Sequence, residues 1–97
     1  MAEVDDKETL DKQTLRRFFG ADGRLHTMPT RHLKRWVVLD HVAQRFELGR
    51  TYPEREVDAI LKSVHDDHAA LRRYLVDDGF LTREAGVYWR SGGSVDV

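Results

Sequence analysis

Residues 65–90 of the chain read HDDHAALRRYLVDDGFLTREAGVYWR. Apolar side chains recur there at helical spacing as far as Leu75, and the pattern stops at Gly79, a residue that favours the position just after a helix. Two strand-like runs follow, at residues 80–83 and 87–90, and the loop between them contains a glycine that can adopt a positive φ. The stretch therefore predicts a helix that leads directly into a β-hairpin.

Three further helices and one short strand are predicted ahead of this stretch. Apolar periodicity indicates a first helix over residues 9–19 and a second over residues 30–46, with Thr30 as its N-cap. Residues 24–28 form a candidate strand that ends at a proline. A third helix is expected to begin at Pro53, because a proline in the first helical turn loses no hydrogen bond.

The resulting order is a helix, a short strand, three helices and a hairpin. The last three helices and the hairpin are typical of a winged helix-turn-helix domain. We therefore predict a mainly α fold with a small β-hairpin, winged helix-turn-helix-like, with an extra N-terminal helix. The 97 residues suffice for one modest core. We expect a single domain over residues 9–90, a disordered tail over residues 1–8 and a flexible tail over residues 91–97.

Composition restricts the class of partner and the compartment. The formal net charge is −1, so a uniformly basic nucleic-acid binder is excluded and any such role must rest on a local patch. The chain has no cysteine, which excludes disulfides and thiolate metal sites. The acidic start lacks the apolar segment of a secretory signal, and no apolar run is long enough to span a membrane. We expect a cytoplasmic protein without membrane association.

The charges of the last predicted helix argue against a standard reading of DNA. Residues 65–79 contain four aspartates and two arginines, and a helix with a net charge of −2 is a poor ligand for a groove between phosphates. Asp66 or Asp67 is expected to be the N-cap. Arg72 and Arg73 either pair with nearby acids or form a clamp for phosphate or carboxylate groups.

A better anion-binding candidate lies at the start of the second helix. Cations in that position interact unfavourably with the helix dipole. Their presence indicates an anion-binding role, because backbone N–H groups and basic side chains at a helix start together bind anions. The alternative is a solvated face whose charges are neutralised by acids of the N-terminal tail. Arginines of the hairpin would extend a nucleic-acid surface. The candidate nucleic-acid or anion-binding residues are Arg31, His32, Lys34, Arg35, Arg72, Arg73, Arg83 and Arg90.

Neither a metal site nor a catalytic site is expected. His65 and His68 stand beside Asp66 and Asp67, and imidazole with carboxylate can bind zinc. A histidine pair three residues apart, with no further ligand placed near it, is more typical of a helix-capping region. No serine has the context of an activated nucleophile, and no glycine-rich phosphate loop is present. We expect no enzyme activity, no metal and no cofactor.

Four segments of the chain carry a resemblance to a known family: GRLHTMP, VLDHVAQRFELGRTYPEREVDAIL, HDDHAALRRYLVDDGFLTR and VYWR. Together they resemble a bacterial domain of unknown function. That domain often follows an ArsR-type helix-turn-helix regulator in one chain and also occurs alone, and the similarity covers residues 18–90. It implies a winged-helix-like fold and an association with transcription regulation, but no particular activity. Pro53 departs from the family, where a small hydroxylated cap is expected, so either Thr51 caps the helix instead or the helix begins without a side-chain cap.

Two interpretations of function remain open at this point. In the first, the domain binds nucleic acid through the basic start of the second helix and the hairpin arginines. In the second, it binds a protein partner or forms a homodimer, as its near-neutral charge and acidic last helix indicate. A contiguous basic face that joins Arg31, Lys34 and Arg35 to the hairpin would favour the first. A mixed-charge face with an exposed apolar patch would favour the second.

Overall fold

The computed structural model describes the backbone of residues 6–95 and the side chains of residues 11–95. Within that range, four helices and a three-stranded antiparallel sheet form a small α/β domain. Residues 6–8 of the predicted disordered tail begin the first helix, whereas residues 1–5 of that tail and residues 96–97 of the predicted flexible tail lie outside the described residues. In chain order the elements are α1 (Asp6–Phe18), α2 (His32–Ala43), β1 (Thr51–Pro53), α3 (Glu54–Lys62), α4 (His68–Asp77), β2 (Leu81–Glu84) and β3 (Val87–Arg90).

The sheet has the strand order β1-β3-β2, and both neighbouring pairs are antiparallel. Strands β2 and β3 form the predicted hairpin, in which Thr82 lies opposite Trp89. The first strand, β1, is missing from the sequence prediction, because three residues that end in a proline are too few for a period-two pattern. Tyr52 of β1 lies opposite Tyr88 of β3 and joins this short segment to the hairpin.

The strand predicted over residues 24–28 is wrong. The described chain forms a single bridge there, between Phe19 and Leu25. The segment instead attaches to the turn between α3 and α4, where the Leu25 amide donates to the Val64 carbonyl at 2.7 Å. The His65 ring nitrogen Nδ1 lies 2.7 Å from the Leu25 carbonyl oxygen. These contacts satisfy the backbone of Leu25 without a sheet.

The ends of the helices differ in part from the prediction. The Asp67 carboxylate accepts a hydrogen bond from the Ala70 amide at 3.1 Å, which confirms Asp67 as the N-cap of α4. Thr30 is not the N-cap of α2; Arg31 occupies that position and makes no side-chain capping bond. Pro53 lies at the N-cap of α3 rather than in its first turn, and it too makes no side-chain capping bond.

One apolar core joins α2, α3, α4 and the sheet. Trp36 packs at its edge, with its ring 5.6 Å from the Phe80 ring, and Phe46 meets Tyr52 at 5.1 Å. Burial of these side chains supplies the main favourable contribution to folding. The fully buried apolar residues are Leu25, Val38, Leu39, Val42, Ala43, Phe46, Tyr52, Val57, Leu61, Val64, Leu71, Leu75, Phe80, Leu81 and Tyr88.

The segment after β3 returns to α2. The Ser94 amide donates to the Asp40 carboxylate at 2.6 Å, and the Gln44 side-chain amide donates to the Ser94 carbonyl at 2.9 Å. Gly93 approaches so closely that a Cβ there would lie 2.9 Å from an oxygen of Asp40. The flexibility proposed for the tail stays a prediction, but Gly93 and Ser94 have defined contacts at α2.

Candidate functional site

A cavity between α4 and the hairpin brings together three of the arginines predicted to bind anions. Its volume is about 180 Å³, and we call it the α4–hairpin cavity. Arg72 and Arg73 reach it from α4, and Arg83 reaches it from β2. The residues that line it are Ala69, Arg72, Arg73, Val76, Asp77, Arg83 and Tyr88.

Arg72 is fixed in place by α3 rather than by its own helix. Its guanidinium donates to the Asp58 carboxylate, and about a quarter of each side chain in this ion pair is exposed. Burial alone would lower the pKa of Arg72, but the hydrogen bond and the charge of Asp58 outweigh burial and raise it. Arg72 therefore pairs with an acid, the first of the two alternatives, although this acid lies on α3. The charge of Arg72 at the cavity is partly offset by Asp58.

Tyr88 forms an aromatic wall of the cavity. Its hydroxyl donates to the Glu54 carboxylate at 2.7 Å, and the Arg83 guanidinium lies 5.9 Å from its ring centre. Burial and the hydrogen bond to Glu54 raise the pKa of the Tyr88 hydroxyl, so the ring stays neutral at physiological pH. A guanidinium over a neutral aromatic face is a favourable arrangement that leaves its N–H groups available to a ligand.

The aspartates near the ends of α4 are mostly engaged away from this cavity. The Asp66 carboxylate accepts a hydrogen bond from the Arg24 guanidinium at 2.6 Å, and Asp67 caps the helix. Asp78 pairs with a cation of α2. Asp77 is the one carboxylate among the described residues that line the α4–hairpin cavity. The net charge of −2 counted along the sequence therefore overstates the negative charge of this face.

The basic residues at the start of α2 do not form one patch. Arg35 turns toward α4, where its Nε atom lies 3.4 Å from the Asp78 carboxylate and its guanidinium 5.3 Å from the Tyr74 ring centre. Arg31 and Lys34 instead line a second cavity of about 230 Å³, which we call the α2-start cavity. The residues that line it are Arg17, Phe18, Thr27, Met28, Pro29, Thr30, Arg31 and Lys34.

His32 belongs to a third surface feature, an apolar groove between α1 and α2. This groove has a volume of about 490 Å³, and Leu33 within it has 78% of its surface exposed. An exposed leucine in a groove of mainly apolar lining is a feature of protein-binding surfaces. The residues that line the groove are Asp11, Thr14, His32, Leu33, Lys34, Trp36 and Val37.

Arg90 contributes to the fold and does not join the other hairpin arginine. Only 9% of its surface is exposed, and its guanidinium donates to the backbone carbonyls of Phe46, Gly92 and Ser94. We therefore leave Arg90 out of the candidate site.

Arg17, which lines the α2-start cavity, was not among the residues predicted from the sequence. Its proximity to Arg31 depends on the course of the loop between α1 and α2.

Three of the four residues considered as metal ligands, His65, Asp66 and Asp67, have other contacts. His65 bonds to the Leu25 carbonyl, and the two aspartates beside it cap α4 and pair with Arg24. Within residues 11–95, whose side chains the structure describes, no three His, Asp or Glu side chains are grouped so that they could hold a metal ion. None of the described helices combines the length and the apolar character needed to cross a bilayer.

The fold and these surfaces define a small α/β domain with two arginine-lined cavities and one apolar groove. The chain belongs to the bacterial family DUF2087, described as an uncharacterized protein conserved in bacteria, whose model matches residues 24–90. This match confirms the resemblance to a bacterial domain of unknown function. It begins after α1, so Arg17 and Phe18 lie outside it. No curated protein and no solved structure matches the chain.

Proposed function

We propose that this chain is a winged-helix-like domain that binds nucleic acid through α4 and the hairpin. The order α2-β1-α3-α4-β2-β3 and the sheet order β1-β3-β2 support the fold assignment, since helix, strand, two helices and hairpin is the winged-helix arrangement. In that arrangement α4 is the recognition helix and the β2–β3 hairpin is the wing. The proposed surface differs from the one expected from the sequence, because Arg31, Lys34 and Arg35 do not form a contiguous basic face with the hairpin. It uses α4 instead, since most of the aspartates that argued against this helix pair with arginines or cap the helix.

The observation that carries this proposal is the α4–hairpin cavity. Arg73 and Arg83 are both exposed and border one cavity with Arg72, on the helix and the hairpin that a winged-helix domain presents to a duplex. Guanidinium groups bind phosphate with paired N–H donors, so such a cluster can hold a backbone phosphate. With one carboxylate in its described lining, the cavity favours an anion over a cation.

A role in bacterial transcription regulation, in the cytoplasm, is part of the same proposal. It rests on the resemblance to domains that follow ArsR-type regulators, and on duplex DNA as the polyanion that a winged helix most often contacts. The proposed role is binding, without catalysis.

Fluorescence anisotropy with a labelled duplex of mixed sequence tests the proposal. The double variant Arg73→Gln/Arg83→Gln should bind roughly tenfold more weakly than the wild type, because two charge-assisted contacts are lost. The matched control is Arg45→Gln/Arg55→Gln, which removes the same charge from exposed positions away from the cavity. Equal losses in both double variants would show that the cavity is not the binding site.

A second function, self-association or protein binding, is favoured by the apolar groove between α1 and α2. Leu33 is the most exposed large apolar residue described, and the groove around it is several times larger than a single side chain needs. Sedimentation velocity tests self-association directly. If the groove mediates it, the wild type should associate as its concentration rises, and Leu33→Glu should remain a monomer.

A further inference from the structure

The α2-start cavity is a separate basic site, formed by α1, by the loop before α2 and by the first turn of α2. Arg17 comes from α1, and Arg31 and Lys34 come from α2. Arg17 and Arg31 are exposed, and Lys34 is half-buried. None of the described residues that line the cavity is acidic. Three cations are therefore gathered around one small space without a carboxylate among its walls.

The rest of the lining is apolar or uncharged, and this distinguishes the cavity from a merely basic surface. Phe18 and Met28 are half-buried, and Pro29 is fully buried, so the cavity has a rigid apolar wall. Thr27 and Thr30 add hydroxyl groups at its rim. A ligand that fits both parts has an anionic end for the cations and an apolar end for the wall.

Among residues 11–95, whose side chains are described, the cations of this cavity have few competing partners. Arg17 lies 6.0 Å from the Phe18 ring centre, an arrangement that leaves its guanidinium donors unused. Arg31 is the N-cap residue of α2, and the first turn of that helix contains no acidic residue. Asp11 lines the adjoining apolar groove, which shares Lys34 with the cavity. By contrast, Arg35 is paired with Asp78 and stays out of the cavity.

From this combination we infer that the α2-start cavity binds a small phosphate monoester whose organic part is apolar or aromatic. Arg17, Arg31 and Lys34 would hold the phosphate dianion, and Phe18, Met28 and Pro29 would contact the organic part. A cavity of about 230 Å³ accepts a phosphate with one ring, whereas a larger ligand would extend into solvent. This site is independent of the nucleic-acid binding proposed for α4 and the hairpin.

Amide NMR spectra of the full chain, titrated with phenyl phosphate, test this inference. Saturable shifts are expected at the amides of residues 17–19, 27–28 and 30–34. Inorganic phosphate should cause shifts at the same amides with weaker affinity, and phenol should cause none, because the charged group supplies most of the binding energy. Phenyl phosphate that binds no more tightly than inorganic phosphate would overturn the assignment of an apolar contact.

Variants separate this site from the rest of the surface. Arg31→Gln and Lys34→Gln should each weaken phenyl phosphate binding roughly tenfold. The matched control Arg55→Gln, on the exposed face of α3, should leave it unchanged, and so should Arg73→Gln/Arg83→Gln if the two sites are independent. The spectra report folding in the same experiment. Absence of saturable shifts in the wild type at millimolar ligand, or unchanged affinity in Arg31→Gln and Lys34→Gln, would overturn the proposal.

Discussion

At the scale of single residues, Asp66 and Asp67 are adjacent carboxylates with different contacts. Asp67 accepts the Ala70 amide and caps α4, whereas Asp66 is almost fully exposed in its ion pair with Arg24. We predict that Asp67→Ala lowers the free energy of unfolding by about 1 kcal/mol, the usual cost of a lost N-cap. Asp66→Ala should cost little, because exposed ion pairs contribute little. Urea denaturation of both variants measures the difference, and equal losses would contradict this assignment.

Arg90 provides a second prediction at this scale. Replacing its buried guanidinium leaves the carbonyls of Phe46, Gly92 and Ser94 without this donor. Arg90→Met, which keeps the apolar stem, should lower the free energy of unfolding by about 2 kcal/mol or more, because buried acceptors lose their partner. Arg55→Met on the exposed face of α3 is the control and should change little. The same denaturation curves would refute the role of Arg90 if the two variants were equally stable.

His41 predicts a dependence of stability on pH. Burial lowers the pKa of His41 below its ordinary value of 6.5, Arg45 lowers it further and Asp40 opposes the shift in part. As the pH falls below 6.5, His41 becomes protonated in the unfolded chain but stays neutral in the folded protein. The free energy of unfolding therefore decreases with falling pH, until the pH drops below the pKa of His41 in the folded protein. His41→Gln should reduce this loss between roughly pH 7.5 and pH 5.5. An unchanged pH profile in His41→Gln would contradict the assignment.

At the scale of elements, the hairpin turn is the clearest place where a single substitution should increase the stability of the fold. Ala85 and Gly86 both have positive φ, at 51° and 78°, which is the geometry of a type I′ turn. Alanine is unfavourable at positive φ, whereas asparagine followed by glycine is the preferred pair. Ala85→Asn should therefore raise the free energy of unfolding by about 0.5 kcal/mol. Thermal unfolding measures the change, and a lower melting temperature would show that the turn does not limit stability.

The elements also show what a single sequence can and cannot predict. The α4–hairpin unit was predictable, because the helical period of its apolar residues, the break at Gly79 and the glycine of the turn all agree. Strand β1 was not, because its only buried residue is Tyr52 and its pairing partner, β3, lies far along the chain. The orientation of Arg90 could have been predicted, since residues two apart in a strand share a face and Tyr88 belongs to the core.

At the scale of the whole molecule, the candidate site depends on tertiary contacts that no local pattern contains. Arg72, Arg73 and Arg83 were identified from sequence, but their meeting in one cavity follows from the hairpin folding back beside α4. Arg35 was expected to join Arg31 and Lys34, yet its partner Asp78 lies on a distant segment. A net charge counted along residues 65–79 also leaves out ion-pair partners from other parts of the chain. Arg24 neutralises Asp66, and Asp58 neutralises Arg72.

The central claim, that the α4–hairpin face binds nucleic-acid phosphates, is tested most directly by the salt dependence of binding to duplex DNA. If Arg72, Arg73 and Arg83 contact phosphates, the slope of log affinity against log salt concentration should be about −2 to −3, at roughly −0.9 for each phosphate contact. In Arg73→Gln/Arg83→Gln the slope should become shallower by nearly 2. No binding by the wild type at low salt, or a slope that is the same in wild type and variant, would contradict the account.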